Sequence, residues 1–98
     1  AVRAEAPITT VVINNFTMGG YDKSMPTAME QFGAGNQSGE YAEVGKALGA
    51  VGIKVEKTEG IAPALAEAQT ANKEGKTCVI EIITRQDTRF SWYNDLLA

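Results

Sequence analysis

The stretch Ile8–Gly20, ITTVVINNFTMGG, decides the fold. Ile8–Ile13 is continuously β-branched, which suits a strand covered on both faces, as in a parallel sheet. The run ends in two amides, Asn14 and Asn15, then a polar turn and the pair Gly19–Gly20. Ligands of parallel sheets sit at the carboxyl ends of strands, so amides there can serve as ligands. An asparagine oxygen and turn carbonyls are hard, neutral donors suited to Mg²⁺ or Ca²⁺. Glycines beside them let backbone N–H groups approach phosphate oxygens. Asparagine is also common at strand ends because it tolerates turns and left-handed φ. Both readings of the pair stand on the residues alone.

Working outward, Ala1–Ala6 (AVRAEA) reads as the last turns of a helix stopped by Pro7, which points to further residues upstream. Phe16–Gly39 is rich in Gly, Ser, Thr, Met and Asn and long for a plain loop. It is therefore functional or partly helical around Pro26–Gln31. Met18, Met25 and Met29 either pack it or line a channel. Ser38 is placed to cap a helix over Gly39–Ala50, with Tyr41, Val44, Leu48 and Val51 as its buried stripe. Glu40, Glu43 and Lys46 give it a wet face. Ile53–Glu56 alternates as a short strand near a sheet edge. Thr58 opens a second helix with Pro63 near its first turn, an apolar face of Ile61, Leu65, Ala68 and Ala71 or Asn72, and Gly75 as the stop. Thr77–Thr84 (TCVIEIIT) is a third strand, in which Cys78 reads as a buried, inert thiol. Arg85–Ala98 is a polar tail tipped by Phe90, Trp92 and Tyr93, suited to packing on the domain, on a neighbouring subunit or over an active site.

Strands alternating with helices predict an α/β fold: a partial three-layer sandwich with a mainly parallel sheet of about three strands flanked by helices. So few strands leave sheet edges and apolar faces uncovered, and association as a homo-oligomer, dimer or higher, is expected.

Composition narrows the function. The 98 residues suffice for one small domain, 44% of them apolar and 21% charged. The net charge of −3 gives no electrostatic footprint for nucleic acid or an anionic membrane, and neither is expected as a partner. No apolar run approaches the ~18 residues that span a bilayer. The one cysteine makes no internal disulfide, which favours a reducing compartment and a cytoplasmic location. With no histidine, imidazole-built zinc sites and histidine-activated nucleophiles are excluded, so any catalysis draws its reactive group from elsewhere.

AVRAEAPITTVVINN (Ala1–Asn15) resembles the cofactor-binding domain of thiamine diphosphate enzymes, from the second half of its Gly-Asp-Gly…Asn-Asn motif onward. YAEVGKALGAVGIKVEKTEGIAPALAEA (Tyr41–Ala68) and GKTCVIEIIT (Gly75–Thr84) resemble the acetolactate synthase-like branch, which includes glyoxylate carboligase, benzoylformate decarboxylase and pyruvate oxidase. The resemblance covers Ala1–Thr84. It implies that residues 1–98 are the C-terminal portion of a thiamine diphosphate-binding domain, with 85–98 as the tail, and that the Gly-Asp-Gly half lies upstream. It further implies a thiamine diphosphate- and Mg²⁺-dependent enzyme acting on a small 2-oxo acid by decarboxylation or carboligation.

Carried over residue by residue, Asn15 gives Mg²⁺ its side-chain oxygen and Thr17 its backbone carbonyl. Met18 and Gly19 approach the diphosphate, Gly20 and Tyr21 line the substrate pocket, and Asn14 orders the turn. The family's third ligand, the aspartate of Gly-Asp-Gly, is absent here, and Asp22 and Glu30 lack the context to replace it. The family's activating glutamate belongs to a partner domain. No catalytic side chain is therefore assigned within the chain, and the segment alone is expected to be inactive. The alternative is a non-catalytic α/β module for self-association or for binding a small phosphate ligand. The residues do not specify the 2-oxo acid, a second substrate or a flavin.

Overall fold

The computed structural model describes residues 1–86. Phe90, Trp92 and Tyr93, expected to pack on the domain, on a neighbouring subunit or over an active site, lie outside the described residues. The chain divides into a sheet unit, Ala1–Asn14 with Glu40–Thr84, and a second unit built on Asn15–Gly39.

The sheet unit has three parallel strands, β1 (Thr9–Asn14), β2 (Val51–Val55) and β3 (Cys78–Ile83), in the spatial order β1-β3-β2. Thr9 and Val51 both pair with Cys78, which fixes the register across the sheet. Successive β3 residues point to opposite faces. Cys78 and Ile80 pack with Val55, Ala64 and Ala68, the last two from the helix Ile61–Lys73. Val79 and Glu81 face the helix Tyr41–Ala47. Helices on both faces make the expected three-layer α/β arrangement.

The strand expected to be covered on both faces, β1, is an edge strand: Val11 is 44% and Ile13 61% exposed. The centre is β3, where Cys78, Ile80 and Glu81 are at 1% or less. β-branched residues state that a segment suits a sheet interior; they do not state which neighbours flank it.

The Tyr41–Ala47 helix is shorter than predicted and turns a different face inward. It buries Ala42 and Gly45, while Val44 and Leu48 stay exposed. The reason is close approach: a Cβ on Gly45 would lie 2.8 Å from a Val79 methyl, and one on Gly52 would collide with the Ala42 carbonyl. Its N-cap position is Glu40 rather than Ser38. The Glu43–Lys46 and Glu40–Lys54 pairs, 2.8 and 3.0 Å, form its wet face as expected.

A 3₁₀ turn at Thr58–Gly60 leads into the Ile61–Lys73 helix, with Pro63 in the first turn. It too buries its small residues, Ala64, Ala68 and Ala71, and leaves Leu65 half exposed. Gly75, at φ 81°, closes it. Asn72 ties this helix to β1, accepting from Thr9 Oγ1 at 2.8 Å and donating to the Ile8 carbonyl at 3.1 Å. Residues 1–6 form hydrogen-bonded turns instead of helix, closed by Glu5 at φ 52° and by an Ala6 N–H bond to the Ala1 carbonyl. Pro7 drives the residue before it out of the α region, so the turns do not extend.

The second unit contains two helices, α1 (Tyr21–Ser24) and α2 (Pro26–Phe32), neither of which buries a residue. With these, the helices in chain order are α1, α2, α3 (Tyr41–Ala47) and α4 (Ile61–Lys73). Pro26 opens α2, where its fixed φ and missing N–H cost nothing. An antiparallel bridge pairs Thr17 with Asn36. Among the described residues, no helix is long and apolar enough to cross a membrane.

Candidate functional site

The six residues singled out by the sequence, Asn15, Thr17, Met18, Gly19, Gly20 and Tyr21, occupy one continuous stretch of the second unit, from the end of β1 to the first residue of α1. Asn15 Oδ1 accepts the Thr17 N–H at 3.1 Å, closing a turn over Phe16. Phe16 takes φ 57°, a left-handed conformation uncommon for a bulky residue, so the turn is held against local preference. The Asn15 side chain thus closes this turn.

The bridge decides which backbone groups remain open. Phe16 O accepts from Gln37 N–H at 2.8 Å, and Met18 N–H donates to Gly35 O at 2.6 Å. Thr17 itself takes no part through its carbonyl, which accepts no hydrogen bond among the described residues. Thr17 Oγ1 is buried without a partner among the described residues. The Met18 N–H is already engaged; that of Gly19 has no partner among the described residues. A Cβ on Gly19 would meet nothing within 4 Å. Gly20 sits at φ 85° as the N-cap of α1. Tyr21 packs its Cβ toward Gly35, where a methyl would come within 3.0 Å.

These groups fit a magnesium diphosphate in part. Asn15 Oδ1 keeps a second lone pair, and the Thr17 carbonyl is a hard oxygen not otherwise used. The orphaned Thr17 hydroxyl is a polar atom awaiting a partner. Gly19 supplies an open N–H, whereas Met18 does not. No group of three or more acidic, histidine or cysteine side chains able to hold a metal exists among the described residues.

Asn14 lies in the sheet unit, 5% exposed at the end of β1, and its Nδ2 donates to Glu81 Oε2 at 2.7 Å. Glu81 Oε1 accepts the Ala42 N–H of α3 at 3.0 Å. Burial pushes the Glu81 carboxyl up. The Ala42 N–H, the Asn14 amide and the nearby Lys54 charge outweigh it and hold the group below the usual carboxylate range. Sequence reasoning passed over Glu81; the available signal was one charge inside the apolar run CVIEII. Cys78, at 0% exposure, has its thiol pushed up by burial, as befits an inert core residue. A separate cleft of about 500 Å³ opens at the end of β2, lined by Lys54, Glu56, Lys57, Glu59 and Glu67 among others, and none of the six residues lines it.

Residues 1–82 match the family model described as thiamine pyrophosphate enzyme, C-terminal TPP binding domain. The chain is 38% identical to a sulfoacetaldehyde acetyltransferase of Alcaligenes xylosoxydans xylosoxydans, over 100% of this chain and 17% of that protein. It is 33% identical to a sulfoacetaldehyde acetyltransferase of Castellaniella defragrans, over 99% of this chain and again 17% of the relative. The chain therefore spans about a sixth of the length of these curated relatives. No solved structure matches it.

Proposed function

This chain belongs to the thiamine pyrophosphate enzyme family, within its C-terminal TPP-binding domain, and from that premise we propose that the Asn15–Gly19 turn holds the magnesium diphosphate of thiamine diphosphate in a larger transferase. The observation that carries this reading is the turn itself: the Asn15 side chain closes it, Phe16 strains it, and the Thr17 carbonyl is left open. Asn15 Oδ1 and the Thr17 carbonyl would be the neutral ligands of Mg²⁺, with the Gly19 N–H facing a phosphate oxygen. Gly20 and Tyr21 would border the substrate.

When bound, the cofactor supplies the electron sink for making and breaking a bond at a carbonyl carbon. The residues of this chain bind and orient the diphosphate. Such binding energy, spent away from the reacting centre, fixes the reactive end in place.

For the whole enzyme, the proposed reaction is an acetyl transfer involving a small carbonyl compound of the sulfoacetaldehyde kind, after the names of both relatives. Decarboxylation or carboligation of a 2-oxo acid is the second reading, favoured by the acetolactate synthase-like pattern of Tyr41–Ala68. A substrate assay separates them, because decarboxylation of a 2-oxo acid releases CO₂ and reaction of an aldehyde does not. The exposed Val11, Ile13, Val44 and Leu48 support a homo-oligomer, or further parts of the enzyme, as the cover of these faces.

The test of the site is Asn15→Ala in the enzyme carrying this chain. Mg²⁺-dependent affinity for thiamine diphosphate should weaken by about tenfold or more, as for loss of metal-site support. Unchanged affinity would remove the assignment.

A further inference from the structure

Glu81 stands at the middle of the central strand with 0% exposure, in a sheet unit whose other fully buried side chains are apolar. A buried carboxylate is costly, and an apolar residue of similar size often stabilises such a site better. Among the described residues no cation lies within ion-pair distance of it; Lys54 Nζ pairs with Glu40 at 3.0 Å and with Glu56 at 3.7 Å instead. Its charge is met by N–H donors, among them the Asn14 amide at 2.7 Å, the Ala42 backbone at 3.0 Å and the Tyr41 backbone.

The location of these donors is informative. Asn14 is the last residue before the Asn15–Gly39 segment, and Ala42 lies in the first turn of the helix that follows it. One carboxylate on a third element therefore holds both chain ends that flank the segment carrying the candidate site. The Asn14 carbonyl is also held, accepting the Thr84 N–H at 2.8 Å. Asn15 follows directly in the chain, so the direction in which the backbone leaves Asn14 sets where the Asn15 amide begins.

We propose that Glu81 is a positioning residue for cofactor binding: through Asn14 and Ala42 it fixes the two flanks of the Asn15–Gly39 segment and thereby the aim of the Asn15 turn. This rests on the reading of the turn as the diphosphate site. Glu81 touches neither substrate nor cofactor in this role. Gln retains the size of the side chain but has one acceptor oxygen, so its amide N–H₂ confronts either the Asn14 amide or the Ala42 N–H, donor against donor.

The experiment uses the enzyme carrying this chain and titrates thiamine diphosphate at fixed Mg²⁺ by calorimetry, with thermal melting alongside. Glu81→Gln should fold and raise the Kd about tenfold, the effect usual for the outer support of a metal site. Ala68→Gly, in the core on the other face of the sheet, should lower the melting temperature and leave the Kd at its original value. If Glu81→Gln leaves the Kd unchanged while Asn15→Ala raises it, Glu81 serves only the fold and the proposal is overturned. It is equally overturned if Ala68→Gly raises the Kd as much as Glu81→Gln does. If Asn15→Ala itself changes nothing, the site reading falls, and the positioning role with it. Should Glu81→Gln not fold, Asn14→Ala, which keeps the Ala42 bond, takes its place: a raised Kd supports the proposal and an unchanged one overturns it.

Discussion

In the sheet unit Ile80, Cys78 and Ala68 are each at 1% exposure or less, whereas neither helix of the Asn15–Gly39 unit buries a residue. The first is held by close approach of small side chains to a sheet. The second is held by turns and hydrogen bonds: the Asn15 cap on Thr17, the Thr17–Asn36 bridge, and Gly33 at φ 59° closing α2. Binding groups are often carried on loops set by a rigid scaffold, because backbone atoms not committed to helix or sheet stay available to a ligand. The Thr17 carbonyl and Gly19 N–H are such atoms. The price of that availability is low local stability.

The contrast can be broken by mutation, beginning with the largest effect. Ile80→Ala should destabilise the sheet unit by about 2–5 kcal/mol, the usual range for truncating a buried aliphatic side chain. Urea unfolding checks it, and a loss under about 1 kcal/mol would mean that the centre of the sheet is not the centre of stability.

Glu81→Gln comes next, at about 2 kcal/mol, since hydrogen bonds to a charged group are at stake. Its pH signature is specific. The folded carboxyl lies below its ordinary value, so its stabilisation is present above the ordinary glutamate pKa and is lost as pH falls through the depressed folded one. The charged group facing it is Lys54 on β2, itself paired with Glu40 and Glu56. Stability of the Gln variant should fall less steeply in that acid window, and parallel curves for the two proteins would refute the assignment.

Asn15→Ala should shift cofactor affinity by about tenfold, or about 1.4 kcal/mol, while changing the unfolding midpoint little. A large loss of stability with intact affinity would reverse the roles given to the two units. The smallest structural effect belongs to Gly19→Ala, where a methyl meets nothing within 4 Å. Stability should stay within about 0.5 kcal/mol. On the proposed reading of the turn, any effect should appear in cofactor affinity, because the methyl would enter the space assigned to a phosphate.

Much of this molecule was legible before its coordinates. Thr77–Thr84 and Ile8–Ile13 read as strands because uninterrupted β-branched runs have few other stable conformations. Pro63 and Gly75 bracketed α4 because one lacks an N–H and the other tolerates positive φ. The turn after Asn14 was visible as a chemical oddity, polar amides on the end of an apolar strand. Helix faces were misread. Periodicity favoured Val44, Leu48 and Leu65 as buried residues, yet Ala42, Gly45 and Ala64 are inside, while Ala68 and Ala71 are buried as expected. Hydropathy ranks side chains by what they gain on burial; it does not register how closely a backbone can pack when the side chain is small.

The sequence by itself determined the three strands and the helix after Thr58, the parallel α/β class, the absence of histidine chemistry and the stretch that carries the candidate site. These follow from local conformational preference and residue chemistry. Only the tertiary structure decided that β3 and not β1 is central, that Gly45 and not Val44 meets the sheet, and that Glu81 joins Asn14 to Ala42. Those facts join residues far apart in the chain, up to 67 positions in the Asn14–Glu81 bond. Such a pairing is set by strand order and register, which no local preference encodes.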